Sequence, residues 1–214
     1  MTAAILSAAQ SDAPARLQAA ADVFKEVMGI PDKAIPQDLL NKSQCVIIVP
    51  GLKKGAFIVG AKYGKGFVSC RSTSGLGWGA PASIRVEGGS VGFQAGGSET
   101  DVIMLVMNES GMKRLLTSKF TLGGDVTVAA GPVGRSTQAE TDAFMTAEIL
   151  TWSRARGLFA GVALSGATLR EDGDWNEELY GRKITNREII TSTIAPPPPA
   201  KPMLDELNRY SSRK

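Results

Sequence analysis

The sequence predicts an α+β fold in which a mainly antiparallel β-sheet, sandwich- or barrel-like, is flanked by an N-terminal amphipathic helix and short C-terminal helices. Two observations predict the sheet. The 214-residue chain has 24 glycines, and they cluster between residues 51 and 134, where they favour tight β turns over long helices. Between them lie short apolar runs of strand length. The longest such run, 102–107, is far too short for a transmembrane helix of roughly 20 residues, so we expect a soluble chain.

The N-terminal helix is predicted at 14–28. Ser11 and Asp12 can cap it, Pro14 suits its first turn, and Gly29 ends it. Its apolar residues recur at three- and four-residue spacing, which predicts a stripe that docks on the sheet. That stripe consists of Leu17, Ala20, Ala21, Phe24, Val27 and Met28.

A short helix at 36–42 is followed by a series of predicted strands. Glu87 and Ser90 enclose two glycines, which predicts a hairpin turn at 87–90. The strands before this turn are 45–49, 56–61, 66–71 and 82–87, and those after it are 90–96 and 101–107.

The second half of the chain mixes short helices and strands. The pattern predicts a helix at 109–118, strands at 126–130, 147–153 and 157–164, and a helix or a loop at 139–146. Asp174 is expected to cap a helix through Tyr180, and Asn186 a helix through about Thr191.

The proline run at 195–202 predicts a stiff polyproline linker. A short helix at 203–210 follows in a tail that we expect to be flexible rather than docked. The predicted organisation is a flexible N-terminus (1–12), a single domain (13–194), and a proline-rich linker with a C-terminal tail (195–214).

Several kinds of chemistry find no support in the sequence. The chain has no histidine, which removes the usual general base and the commonest zinc ligand. The glycines of 131–136 lack the spacing of a phosphate-binding loop, and 172–183 lacks the final glutamate of a calcium loop. No pair of carboxylates is singled out by spacing. We therefore predict a protein without catalytic residues, metal or cofactor.

Two features of the sequence concern the cellular compartment. Cys45 and Cys70 can pair as a disulfide if their segments lie side by side, or they can be small buried apolar groups. Residues 3–10 are similar to the end of a secretory signal sequence, and a plain flexible terminus explains them as well. We expect an extracytoplasmic or periplasmic, membrane-associated protein, with a peripheral protein on the cytoplasmic side of a membrane as the alternative.

The functional signal is a local excess of positive charge. Between residues 40 and 94 there are seven basic side chains and one acidic side chain, although the whole chain has 24 basic and 21 acidic residues. Each basic group near an anionic membrane contributes about 1 kcal/mol. A solvated, solubilising face explains such a run equally well. The candidate lipid-binding residues are Lys53, Lys54, Lys62, Lys65 and Arg71, with Lys53, Lys54 and Lys65 expected in turns.

An ordered set of motifs resembles the SYLF domain, also called the Ysc84 or DUF500 actin-binding domain. Each motif is weak alone, but their order from about residue 34 to residue 181 is specific. The motifs are Tyr63-Gly-Lys-Gly66, Gly77-Trp78 with Pro81, Gly88-Gly-Ser-Val-Gly92-Phe-Gln94-Ala-Gly96, Asp101, Phe120-Thr-Leu-Gly123, Ala130-Gly-Pro-Val-Gly134-Arg135, Ser153-Arg-Ala-Arg156-Gly-Leu-Phe-Ala-Gly161, and Asn176 with Tyr180-Gly181.

The resemblance implies binding to phosphoinositides and other acidic phospholipids, with actin-filament binding in fungal members. Eukaryotic relatives often add SH3 or FYVE modules, and this chain looks like the bacterial stand-alone form. In relatives an amphipathic N-terminal helix is linked to membrane contact. The corresponding candidates for membrane insertion are Leu17, Phe24, Val27 and Met28.

The leading hypothesis is therefore a non-enzymatic domain that binds acidic phospholipid membranes from the periphery. The alternative is a protein-interaction module that binds a filament or a cell-envelope scaffold. Nucleic acid is not an expected partner, because aromatic residues make up only 6% of the chain and no nucleic-acid-binding motif accompanies the charge.

Overall fold

The computed structural model describes residues 12–30, 34–56, 60–73, 76–90, 96–134, 146–155 and 157–212. Within these ranges one sheet runs through the molecule. Its strands are β1 (Cys45–Ala56), β2 (Gly60–Cys70), β3 (Ala82–Ser90), β4 (Gly96–Val106), β5 (Lys119–Thr121), β6 (Val128–Ala130), β7 (Ile149–Ala155), β8 (Leu158–Gly161) and β9 (Thr168–Glu171).

The strand order is β5-β9-β3-β2-β1-β4-β7-β6, and β8 pairs with β7. The pairs are antiparallel except for β6 with β7. This arrangement confirms the predicted α+β class and the mainly antiparallel sheet, which curls into a half-barrel. The strands β5 and β9 were not predicted, because segments of three and four residues are too short to show a period.

The four central strands are longer than the sequence predicts. β1 and β2 continue through the predicted turns, and the sheet absorbs Pro50-Gly51 as a bulge between Val49 and Leu52. Gly51 has a φ of +59° there, which suits a glycine in a bulge. β3 likewise continues to Ser90, so the predicted hairpin turn at 87–90 is wrong. Gly88 instead pairs with Lys62.

Six helices and one 3₁₀ turn, Pro198–Ala200, accompany the sheet in the described residues. The helices are α1 (Asp12–Met28), α2 (Gln37–Lys42), α3 (Glu109–Leu115), α4 (Gly173–Tyr180), α5 (Asn186–Thr191) and α6 (Lys201–Ser211). Two predicted caps are wrong by one or two residues: Asp172 caps α4, and Thr185 caps α5 in a reciprocal box with Glu188. Most of the predicted element at 139–146 and most of the N-terminal segment 1–12 lie outside the described residues.

The C-terminal segment docks on the domain. Met203 and Leu207 of α6 are fully buried in the cluster that holds the apolar face of α1, and Phe24 meets Tyr210 edge to face at 6.0 Å. The prediction of a flexible tail is therefore wrong. The proline run ends in the 3₁₀ turn and leads directly into α6, whose apolar stripe needs a partner surface.

Apolar clusters cover both faces of the sheet. One face packs against α1, α2 and α6, and Trp152 and Phe67 are its largest buried sheet residues. The other face packs against α3, α5 and the segments around β5 and β9, with Met104 at its centre. Because β1 and β4 are covered on both faces, their middle parts read as nearly continuous apolar runs.

Cys45 and Cys70 pair as a disulfide between directly opposite residues of β1 and β2. Both residues are buried. The question that the sequence left open is thus decided by register, because each cysteine lies at the end of its strand where the two strands meet.

We expect reduction of this disulfide to lower the free energy of unfolding by about 3 kcal/mol, because the bond closes a loop with a sequence separation of 25 and removes freedom from the unfolded chain. For a chain of this size that corresponds to a loss of roughly 6–12 °C in Tm. Thermal unfolding with and without a thiol reductant measures it. The double variant Cys45→Ala/Cys70→Ala serves as control and should not respond to the reductant.

Gly66 permits the close approach of β2 to β1. A Cβ on Gly66 would lie 2.1 Å from the carbonyl oxygen of Ile48, a distance that only backbone movement can relieve. We expect Gly66→Ala to destabilise the fold by about 1–3 kcal/mol, as overpacking does. Gly173→Ala is the control, since nothing lies within 4 Å of that position. Equal denaturation midpoints for the two variants would show that the contact at Gly66 does not matter.

Candidate functional site

Three of the predicted lysines, Lys53, Lys54 and Lys62, lie together at one end of the sheet and are called the lysine cluster below. Lys53 and Lys54 are on β1 and Lys62 is on β2, all within continuous strands, so the predicted turn at Lys53 and Lys54 is wrong. The register places Lys54 opposite Lys62, and Lys53 opposite both Tyr63 and Glu99. Lys54 and Lys62 therefore share one face, and Lys53 lies on the other.

The pair of Lys54 and Lys62 is electrostatically unfavourable. Like charges directly opposite each other on an antiparallel pair are destabilising. Burial, and then the charge of Lys62, lower the pKa of Lys54. No described carboxylate forms a salt bridge with Lys53, Lys54 or Lys62. The chain thus holds a local excess of positive charge that a bound anion would relieve.

Lys65 is engaged inside the protein. It lies in β2, not in the predicted turn. Its Nζ forms a salt bridge of 2.8 Å with Asp172, whose side chain is almost fully buried, and lies 4.3 Å from the ring centroid of Trp175. Both partners belong to the start of α4, so Lys65 holds this helix on the sheet. Its charge is neutralised by Asp172 and does not add to the lysine cluster.

Arg71 ties the end of α6 to the sheet. Its guanidinium donates to the Oγ of Ser211 at 2.6 Å and to the carbonyl oxygen of Leu40 at 2.9 Å. It also stacks 3.8 Å from the ring of Trp78, whose indole NH donates to the carbonyl of Ser211. Five donors in a rigid fork suit such a task. Arg71 lies nine residues beyond Lys62 on the chain, roughly 30 Å along the strand direction, so the structure separates it from the lysine cluster.

The candidate membrane-insertion residues lie in the core. Leu17 and Phe24 are fully buried, and Val27 and Met28 nearly so. They pack against α6 and the sheet, as the predicted docking of the stripe requires. Insertion of this face into a bilayer would require α1 to leave the core and give up this burial. The remaining surface of α1 is polar.

A charged cleft of about 670 Å³ lies between α1 and the sheet beside the lysine cluster. At its wall Arg154 forms a salt bridge of 2.7 Å with Asp101 and another with Glu26 of α1. Burial raises the pKa of Asp101, although the amide of Gly51 donates to that carboxylate and opposes the rise. Arg154 thus joins Glu26 of α1 to Asp101 of the sheet and helps to fix α1 in place.

The described residues also bear on metal binding and on membrane crossing. Within the described ranges, no group of three or more acidic or cysteine side chains could hold a metal ion. No described helix combines the length and the apolar character that crossing a membrane requires.

Comparison with known families decides the relationship. The family model Ysc84, described as "Las17-binding protein actin regulator", matches residues 87–210. The chain belongs to the Ysc84 family. The resemblance predicted from the motifs is confirmed, and the match extends past residue 181 into α6. The docked C-terminal helix is thus part of the region that Ysc84-family chains share.

Individual relatives agree. The chain is 33% identical over 201 residues to SH3 domain-containing YSC84-like protein 1 of Xenopus laevis, covering 91% of this chain and 59% of the relative. It is 34% identical over 177 residues to LAS seventeen-binding protein 3 of Saccharomyces cerevisiae, covering 80% of this chain and 38% of the relative. Protein YSC84 of Saccharomyces cerevisiae is 33% identical over 178 residues, covering 81% of this chain and 37% of the relative. This Ysc84-family chain therefore spans less than two thirds of the length of these curated relatives.

The sequence did not predict the exposed apolar side chains at the end of the sheet that carries the lysine cluster. Tyr63 is 47% exposed and Leu158 is 72% exposed. The apolar content of their segments predicted strands, and nothing in the alternation shows that these two side chains lack cover. Only the positions of the neighbouring strands and of α1 in this Ysc84-family fold reveal it.

The repulsion between Lys54 and Lys62 predicts a stabilising substitution. We expect Lys62→Gln to raise the free energy of unfolding by about 0.5 kcal/mol or less. Because the pKa of Lys54 is lower in the folded chain than in the unfolded chain, wild-type stability rises with pH through the interval between the two values. The variant should flatten that rise. Urea unfolding between pH 7 and pH 11 measures both effects, with Lys183→Gln as the control. A destabilised Lys62→Gln would contradict the electrostatic account.

Proposed function

We propose that this Ysc84-family chain binds acidic phospholipid membranes, phosphoinositides included, from the periphery and without catalysis. The observation that carries the proposal is the lysine cluster of Lys53, Lys54 and Lys62. Two of its members oppose each other at a cost in stability, and none forms a salt bridge with a described carboxylate, although Glu99 lies opposite Lys53. Headgroup phosphates supply the anions that would remove this repulsion.

The proposal uses a smaller set of residues than the sequence suggested. Lys65 and Arg71 are excluded because each is committed to holding a helix on the sheet. Three lysines contribute about 3 kcal/mol at an anionic bilayer, a weak attraction that salt screens. A lipid headgroup with several phosphates fits the opposed pair better than one with a single phosphate, because each ammonium can then face its own phosphate.

A protein partner is the second candidate. The family description contains the words "Las17-binding" and "actin regulator", and relatives of this chain are named as LAS seventeen-binding or YSC84-like proteins. We infer that the same lysine cluster can meet an acidic protein surface, such as that of a filament or an envelope scaffold. These names describe binding proteins, which also supports a role without catalysis.

The disulfide supports a proposal about compartment. Structural disulfides persist in oxidising surroundings and are rare where thiols are kept reduced. The buried bond between Cys45 and Cys70 therefore favours an extracytoplasmic setting with access to a membrane surface. Alkylation and mass spectrometry of the protein taken from its own cells test this: blocked cysteines support it, and fully alkylated cysteines contradict it.

Binding to vesicles tests the lipid proposal. We expect the triple variant Lys53→Gln/Lys54→Gln/Lys62→Gln to lose about 100-fold in affinity for vesicles that contain acidic phospholipid, because three headgroup contacts of about 1 kcal/mol each are lost. The measurement is co-sedimentation at low and at physiological salt, with neutral vesicles as a blank.

The matched control changes three exposed lysines that lie outside β1 and β2, namely Lys113, Lys119 and Lys183. It removes the same net charge and should leave binding nearly intact. If the two triple variants bind equally well, binding follows net charge and the proposed site is wrong. Retention on actin filaments with no response to lipid would instead favour the protein partner.

A further inference from the structure

Large apolar side chains are exposed mainly at one end of this sheet. Four of them are exposed among the described residues: Ile30 at 49%, Tyr63 at 47%, Leu76 at 63% and Leu158 at 72%. Scattered single residues of this kind need no explanation. Here, however, three of the four share the end of the sheet that carries the lysine cluster, and only Leu76 lies elsewhere.

The strand register places Leu158 level with the lysines. Asp101 pairs with Arg154 and Ala155 pairs with Leu158, so the turn between β7 and β8 lies beside the first residues of β4. Glu99 of that strand end pairs with Lys53, and Lys53 pairs with Tyr63. Leu158 and Tyr63 are thus close to one transverse row, separated by four strand spacings or roughly 19 Å.

Ile30 joins the same end through the last turn of α1. A mostly apolar hollow of about 340 Å³ is lined by Val27, Ile30 and Phe159 together with Gly157 of the β7–β8 turn. Gly157 has a φ of +80°, which sets the tight turn that carries Leu158. A Cβ at Gly157 would touch nothing within 4 Å, so the space beside this residue is open.

Charge at this end complements an acidic surface. The carboxylates next to the turn, Asp101 and Glu26, are both paired with Arg154. Glu99 is exposed among the three lysines of the cluster, so these groups comprise four cations against three carboxylates, an excess of one positive charge. Cations that surround separate apolar side chains are the composition of a membrane-interface anchor, where aromatic and aliphatic groups enter and lysines meet phosphates.

We propose that this end of the sheet is the membrane-docking tip, with Leu158, Ile30 and Tyr63 entering the headgroup region while Lys53, Lys54 and Lys62 contact phosphates. The inference rests on the proposed lipid function and adds to it the inserting groups and the orientation. It replaces insertion of the buried face of α1. Three lysines alone bind weakly, and one leucine removed from water adds about tenfold in affinity.

A bilayer fits this tip better than a folded partner does. A stable protein interface buries about 800 Å² on each side over a continuous surface. The three apolar groups here stand apart, separated by charged strand ends. A bilayer interface accepts each of them singly, because lipids rearrange around each side chain.

Tryptophan substitution tests the orientation. The three native tryptophans are buried and supply a constant background. We compare wild type, Leu158→Trp and Leu76→Trp on vesicles of neutral and acidic phospholipid that contain brominated acyl chains. Leu76 is the matched control because it is similarly exposed and follows β2 at the far end, next to Gly77, which lies close to Asn208 of α6. We expect a blue shift and bromine quenching for the indole at position 158 and neither for the indole at position 76.

Affinity gives the second readout. Leu158→Ser should weaken binding to acidic vesicles about tenfold, and Leu76→Ser should not. Suppose that the variants bind vesicles, that the indole at position 158 is not quenched, and that Leu158→Ser binds like wild type. The proposed docking tip is then overturned, while the proposed lipid binding stands. Equal quenching at both positions also overturns it. If wild type does not bind acidic vesicles, or is retained only by a protein such as filamentous actin, the proposed function and this inference fail together.

Discussion

The register of β1 against β2 is the constraint on which the remaining structure depends. It is held at one end by the disulfide between Cys45 and Cys70 and in the middle by the close contact of Gly66 with the backbone of Ile48. Beyond these contacts the register shifts by one residue, at the bulge between Ile48 and Lys53, and this shift places Lys54 opposite Lys62 at the other end. A slip by one residue would send every side chain of β2 to the opposite face. The same pairing therefore builds the core and assembles the lysine cluster.

The positive charge of the first half of the chain divides into two roles. Lys65 and Arg71 act where helices join the sheet, each with a buried or half-buried partner and an aromatic ring. Such groups are costly to bury unless they are paired and hydrogen-bonded. Lys53, Lys54 and Lys62 lie at the other end of the sheet and form no salt bridge with a described carboxylate. The fold thus uses some of these cations for assembly and leaves others without a salt bridge in the described residues.

Membership of the Ysc84 family adds a context without deciding the ligand. The chain spans less than two thirds of the length of the relatives compared, so parts of those proteins have no counterpart here. What they share with this chain includes α6, whose docking buries the apolar face of α1. That burial favours the exposed strand ends and the β7–β8 turn, and not the apolar face of α1, as the proposed places of membrane contact. Lipid and acidic protein surfaces both present anions to such a site, and exposed apolar groups favour the lipid.

Local periodicity, glycine placement and motif order are properties of neighbouring residues, and they sufficed to predict the α+β class, the amphipathic α1, most of the long strands and the family. The sequence could identify five basic residues as a set, but it could not show which of them are paired within the protein and which are not. Whether Lys65 is neutralised depends on Asp172, which is more than a hundred residues away on the chain, and whether Arg71 is free depends on Ser211. Cys45 and Cys70 form a bond for a similar reason, since their strands pair. Tertiary structure decided these points, and also the docking of α6, because each depends on contacts between distant segments that no local pattern encodes.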